Sequence, residues 1–308
     1  MTNPLPDHYE LPLKDSRTAL HNRLCEALHS LPHHFKTQVH IEGLPATDLF
    51  SLNTLLGSAI ETQAVEILNE LRTIWDPQNQ WGQYRFIRFP ESYPDVRLVL
   101  NEHDEKPIIG IELKGWYLLS KEKEPSFRFK ASADANSPWD LIACYPWALS
   151  NLLSGSPKLY KPYVEQAKYA ADMRTFYWQN RKGINESRSH EITHPETAPY
   201  PSPGSKYVDV PQTDSGNFGR IARIPGLMTD WTQQSLQTPL MGIEARHWIS
   251  FLSVFVERKN ETEIEDAIAK IVETLKASAS TVTGAEDLET VINRVINALK
   301  QTKTSRPK

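Results

Sequence analysis

The stretch from Pro94 to Trp116 constrains the fold of this 308-residue chain more than any other. Val96-Arg97-Leu98-Val99-Leu100 and Ile108-Ile109-Gly110-Ile111-Glu112-Leu113-Lys114 are short aliphatic, β-branched runs, and the polar stretch from Asn101 to Pro107 between them is turn chemistry. The pattern predicts a β-hairpin. Alternate residues of a strand share a face, so Glu112 and Lys114 point one way while Ile109, Ile111 and Leu113 point into a core. Asp95 opens the partner strand, and strands that diverge there would bring its carboxylate near Glu112. Two carboxylates and a main-chain carbonyl, here that of Leu113, are the hard oxygen ligands Mg²⁺ accepts. Lys114 would then position a water and help to deprotonate it. The plainer alternative is a solvated hairpin face.

Around the hairpin, helical and extended patterns alternate. Leu20, Leu24, Ala27, Leu28 and Leu31 behind Ser16 as cap predict a helix over 16–31. A longer helical pattern starts at Thr47 or Asp48 and runs to Trp75, where Asp76-Pro77 ends it. Inside it Gly57 and Glu61 share a face; the glycine weakens the helix and implies close packing or close approach to a substrate. Gln83 to Phe89 alternates like a half-buried strand, and Gly115 to Leu119 extends the hairpin. Lys121 to Lys130, with Phe127 and Phe129 among the cations, reads as a strand or a basic loop. Ser137-Pro138-Trp139-Asp140 predicts another helix, interrupted by Pro146 and ended by Gly155. Lys158 to Tyr160 is a short strand, and Tyr163 to Arg181 a strong helix. The expected class is α/β.

Residues 183–219 lack an apolar period and read as a long loop. The loop holds His190-Glu191-Ile192-Thr193-His194, a literal match to the zinc metalloprotease pattern. That pattern needs a helix with both imidazoles on one face, and Pro195, the β-branched Ile192 and Thr193 and the polar flanks argue against one. Leu240 to Val256 is an apolar, helix-like run that serves as core or oligomer interface, and 262–276 and 284–300 are amphipathic helical patterns.

Composition narrows the function classes. With 39% apolar and 23% charged residues the chain reads as an ordinary folded protein. A net charge of −4 argues against a histone-like, wholly electrostatic nucleic-acid binder. No run of about 18 apolar residues occurs, and the first residues carry no basic and apolar leader; a cytoplasmic protein with no membrane association is expected. Cys25 and Cys144 form no metal or redox spacing.

Pro94-Asp95, a short gap, then Glu112-Leu113-Lys114 after an aliphatic run resembles the Pro-Asp…(Asp/Glu)-X-Lys nuclease superfamily, which includes most type II restriction endonucleases as well as repair nucleases. The resemblance covers roughly residues 48–182. It implies a restriction-endonuclease-like mixed β-sheet flanked by helices, with additional C-terminal helices, in one catalytic domain over 1–308: a nuclease core over about 47–182, the loop 183–219, and a mainly helical recognition or dimerisation part over 220–308. It also implies a Mg²⁺-dependent endonuclease that hydrolyses double-stranded DNA at a specific sequence, with Asp95 and Glu112 as metal ligands and Lys114 at the attacking water. Relatives often carry a Glu on the helix before the hairpin, which makes Glu61, or next Glu66, an accessory acid; a solvated helix Glu is the alternative. Gln166 with Lys168 loosely matches a Gln-led motif of some relatives. Lys121, Lys123, Arg128, Lys130, Arg188 and His190 become the candidate DNA contacts, a homodimer the expected assembly, and a cognate DNA methyltransferase the partner of the system. A repair nuclease or a catalytically degenerate DNA-binding protein of the same fold are the alternatives within the resemblance.

Overall fold

The computed structural model describes residues 4–42, 52–90, 92–101, 107–180, 191–213 and 217–256, with positions 263, 266, 269, 270 and 273 beyond them. The first helix, α1 (Ser16–His34), is capped one residue earlier than expected: the Asp15 carboxylate accepts a hydrogen bond from Arg17 N at 2.9 Å. Leu20, Leu24, Ala27, Leu28 and Leu31 are buried, as their spacing requires. The helix continues through Pro32. Proline has no N–H to give to Leu28 O, its helical acceptor, and the Tyr145 hydroxyl donates to that carbonyl instead, at 3.0 Å. The second helical pattern forms α2 (Leu52–Glu70) and the short α3 (Arg72–Trp75); the expected start at Thr47 or Asp48 lies outside the described residues. Asp76 ends it, its buried carboxylate accepting from Gln80 N and Trp81 N at 2.7 and 2.9 Å.

Next come β1 (Tyr84–Arg88), β2 (Val96–Leu100) and β3 (Ile109–Tyr117), an antiparallel meander in which Val96 faces Ile111 and Leu98 faces Ile109. β4 (Leu141–Leu149) adds in parallel to β3, and β5 (Pro157–Leu159) and β6 (Tyr163–Gln166) pair antiparallel with opposite ends of β4. The result is a mixed sheet flanked by helices, a mixed α/β fold.

Where the pattern predicts a helix from Ser137, the chain forms β4, for two physical reasons. Ser137-Pro138-Trp139-Asp140 is a β-turn, with Asp140 N donating to Ser137 O at 3.0 Å and proline at the position where its fixed φ suits a turn as well as a helix start. All nine residues of β4 are buried, so the strand shows no alternation to read. Pro146 is tolerated within it. Trp147 O accepts from Leu118 N on the β3 side, so Pro146 turns the other way; there its carbonyl accepts from Tyr160 N, and its missing N–H falls between the pairings of β6 and β5.

α4 (Ala167–Asn180) follows β6, which takes the first four residues of the helix expected from Tyr163. In the loop, β7 (Ile192–Thr193) and β8 (Val210–Pro211) pair, and the segment is tied down by a buried network. Asp209 receives the Arg174 guanidinium on one side and His194 Nδ1, at 2.8 Å, on the other. The apolar run after Trp231 is divided between α5 (Thr229–Ser235), the small hairpin β9 (Pro239–Leu240) and β10 (Ile243–Glu244), and α6 (Ala245–Val256). One hydrophobic core extends continuously from Leu20 to Leu252. The described positions of the 262–276 pattern are helical and exposed, which fits its expected charged face, and 284–300 lies outside the described residues. No helix among the described residues is long and apolar enough to cross a membrane.

Candidate active site

The β2–β3 ladder stops at the Val96–Ile111 pair. Where the strands part, side chains replace main-chain acceptors: Asp95 N donates to Glu112 Oε2 at 3.3 Å, and Leu113 N donates to Asp95 Oδ2 at 3.2 Å. Each acid thus binds the other's strand, and the two carboxylates are neighbours at the divergence. Pro94 sits directly over Gly110; a Cβ at 110 would collide with Pro94 Cγ and crowd Tyr200, so only glycine leaves room for the turn into Asp95. Gly110 N donates to the buried Asp140 carboxylate at 2.7 Å, and Ser137 N and the Tyr200 hydroxyl complete its partners. Burial raises the Asp140 pKa to about 7. With its hydrogen bonds already spent on backbone and Tyr200, Asp140 is a bracket for the hairpin.

The carboxylate pair is electrostatically loaded. Burial, then the charge of Glu61, raise the Asp95 pKa to about 6, and burial, then Asp95, push Glu112 well above the usual carboxylate range. The main-chain hydrogen bond that each acid accepts and, after it, the ammonium of Lys114 favour the charged form of both. Lys114 lies two residues beyond Glu112 on the same face of β3, across from Cys144. A divalent cation is the natural complement of two crowded acids made of hard oxygen donors, so the residues present fit Mg²⁺. Among the described residues no three His, Cys, Asp or Glu side chains gather to hold a metal, so such a cation would rest on Asp95 and Glu112, completed by main-chain oxygen and water.

Glu61 lies on α2 close enough to influence both acids, and it accepts from Arg88 of β1 at 2.9 Å. Glu66 is exposed and does not enter the pair's surroundings. Gly57 is not required by crowding, since a Cβ there would meet nothing within 4 Å. One wall of the site was not foreseen: Tyr93, stacked on Tyr207 with ring centroids 5.2 Å apart, with Glu112 acting on both phenols and Asp95 on Tyr207. Tyr93 precedes the Pro-Asp motif and was within reach of the sequence; Tyr207 arrives from the loop, through Ser132 N donating to Tyr207 O, which no local pattern announces.

Of the expected cationic residues, Lys121, Lys123 and Arg128 are exposed and Lys130 is half-buried above the Phe218 ring, whereas Phe127 and Phe129 are core. Arg188 and His190 lie outside the described residues. Glu191 to His194 do not form the helical turn the zinc pattern needs: Ile192 and Thr193 are strand, and His194 is held by Asp209. Gln166 belongs to the fold rather than the site. Its register opposite Leu141 puts it on the other sheet face from Glu112, and its amide is bound in both directions to the Tyr9 main chain, at 3.0 and 3.1 Å. Compared with known proteins, the chain matches no family model and no curated sequence.

Proposed function

We propose that this chain is a Mg²⁺-dependent endonuclease of the restriction-endonuclease-like fold, hydrolysing phosphodiester bonds of double-stranded DNA at a specific sequence. The observation that carries the reading is the reciprocal pair in which Asp95 and Glu112 each accept from the other's main chain, with Lys114 next on the same face. Asp95 and Glu112 hold the cation. Mg²⁺, when bound, neutralises charge on a phosphodiester under attack and lowers the pKa of water beside it. Lys114 orients the attacking water and assists loss of its proton, and Glu61, anchored by Arg88, adds negative potential behind Asp95. Cutting both strands of a palindromic site asks for two such centres related by a two-fold axis, hence a homodimer. In a restriction system a cognate DNA methyltransferase would protect host sites.

Plasmid DNA incubated with purified protein and MgCl₂ should give discrete fragments whose sequenced ends define the site and stagger. Asp95→Asn, Glu112→Gln and Lys114→Ala should each lose activity while remaining folded. Wild-type cleavage by Lys114→Ala, or no cleavage of any DNA under any divalent cation, would sink the assignment. Binding without cleavage would instead favour a degenerate member of the same fold.

A further inference from the structure

A second constellation is made of side chains to which the nuclease reading gives no part. A cavity of about 60 Å³ is lined by Arg174, Arg220 and Arg223 together with Tyr177, Trp178 and Asn217. Arg174 is 2% exposed, and its terminal nitrogens are committed to Phe129 O, Ala131 O, Thr175 Oγ1 and Asp209. Its Nε is buried with no partner. Arg220 likewise carries a buried Nε without a partner. The only acceptor common to Arg220 and Arg223 among the described side chains is Glu124, which serves both guanidinium groups through one oxygen, Oε1; Arg223 also donates to Asn217 Oδ1 at 2.9 Å. Three guanidinium groups thus meet two carboxylates, Asp209 and Glu124, and one positive charge is left over. Guanidinium forks match the several oxygens of a tetrahedral anion better than a single carboxylate oxygen.

The cavity is built by the fold. Phe129 N donates to Gly219 O at 2.8 Å and Ile221 N to Phe127 O at 3.3 Å, so the cationic 121–130 segment is laid against the one bearing Arg220 and Arg223. Gly219 has a φ of +86°, and a Cβ there would press on Lys130 and Phe129. Tyr93 links cavity and acids: its ring is 6.1 Å from that of Phe129, and both Arg174 and Glu112 act on its phenol.

We propose that the Arg174–Arg220–Arg223 cavity is a phosphate subsite that takes a backbone phosphodiester of the nucleic acid engaged at Asp95 and Glu112, with the Glu124 carboxylate competing for Arg220 and Arg223. The identity of the phosphodiester rests on the nuclease reading; the anion chemistry does not. Two variants with opposite expectations test it. Arg223→Gln removes an exposed cation, and Glu124→Gln releases two guanidinium groups, a gain that misfolding cannot imitate. Inorganic phosphate alone should raise the melting temperature of wild type, less that of Arg223→Gln and more that of Glu124→Gln. In fluorescence anisotropy with a duplex oligonucleotide in Ca²⁺, Arg223→Gln should weaken binding about tenfold and lower the slope of log affinity against log salt by about 0.9, one phosphate contact.

Arg223-dependent protection by phosphate with unchanged duplex affinity would uphold the anion site and assign it to free phosphate. The same protection with no duplex binding by any of the proteins would uphold the site and overturn the nuclease reading. Duplex binding, cutting and phosphate response equal to wild type in both variants would overturn the subsite and leave the nuclease reading standing.

Discussion

Replacing Asp95 by Asn should make the metal-free protein more stable while abolishing its chemistry. Folding raises the pKa of this acid from an ordinary 3.8 to about 6, first through burial and then through Glu61. The native form therefore holds the proton more tightly than the unfolded chain, so stability falls as pH climbs from about 4 through about 6 and is level above that. The difference is worth about 3 kcal/mol at neutral pH. Asn keeps an oxygen for the Leu113 N–H but brings an amide that needs a partner beside Glu112, so a net gain of about 2 kcal/mol is expected. For a chain of 308 residues that is about 3 °C in melting temperature.

Urea unfolding in EDTA at several pH values reads the effect directly. The advantage of Asp95→Asn should be near zero at about pH 4 and reach its plateau above about pH 7. MgCl₂ should reverse the ranking: at a hundred times the dissociation constant it adds about 2.7 kcal/mol to wild type and little to the variant. A variant less stable than wild type in EDTA at alkaline pH, or one that Mg²⁺ stabilises equally, would refute the claim that the pair is a site awaiting a cation.

Gly57→Ala, in a helix interior where a Cβ meets open space, should stabilise the protein by about 0.8–1 kcal/mol in urea unfolding; a stable variant that no longer cuts would show that this surface receives substrate. Tyr145→Phe leaves the Leu28 carbonyl without the donor that stands in for the missing Pro32 N–H and should cost about 1–3 kcal/mol, measured the same way with activity retained per folded molecule. Asp209→Asn strips the buried Arg174 of its counter-charge and should cost about 3–5 kcal/mol. Limited proteolysis should then cut within 191–213 before the rest of the chain.

The meander and the acid pair were legible because both are local. Alternation in Gln83 to Phe89 and the aliphatic runs on either side of a polar turn encode β1 to β3 within one stretch of chain, and Asp95 and Glu112 stand at the position where that ladder opens. β4 was illegible because a strand buried on both faces carries no period, and Pro138 at a turn looks like Pro138 at a helix start. The cap of α1 was misread by one residue, since Asp15 and Ser16 are equally good acceptors and only the geometry chooses. Tyr207, Arg220 and Arg223 were missed for a different reason. They reach their places through bridges such as Ala131–Val208 and Arg128–Arg220, between segments that share no pattern.

The seat of Pro94 on Gly110 bears on how relatives of this protein would be recognised. An acid, a second acid and a lysine are common enough to arise in unrelated hairpins, but a proline that occupies the space of an absent side chain on the opposite strand ties two positions into one inherited unit. Mutational drift at either partner alone would displace the chain leading into Asp95, so in a lineage that keeps the chemistry the two should change together or not at all. Paired retention of Pro94 and Gly110 is therefore a more discriminating mark of common descent than the charged residues themselves, and a laboratory transplant of the three charged side chains onto another hairpin would fail without it.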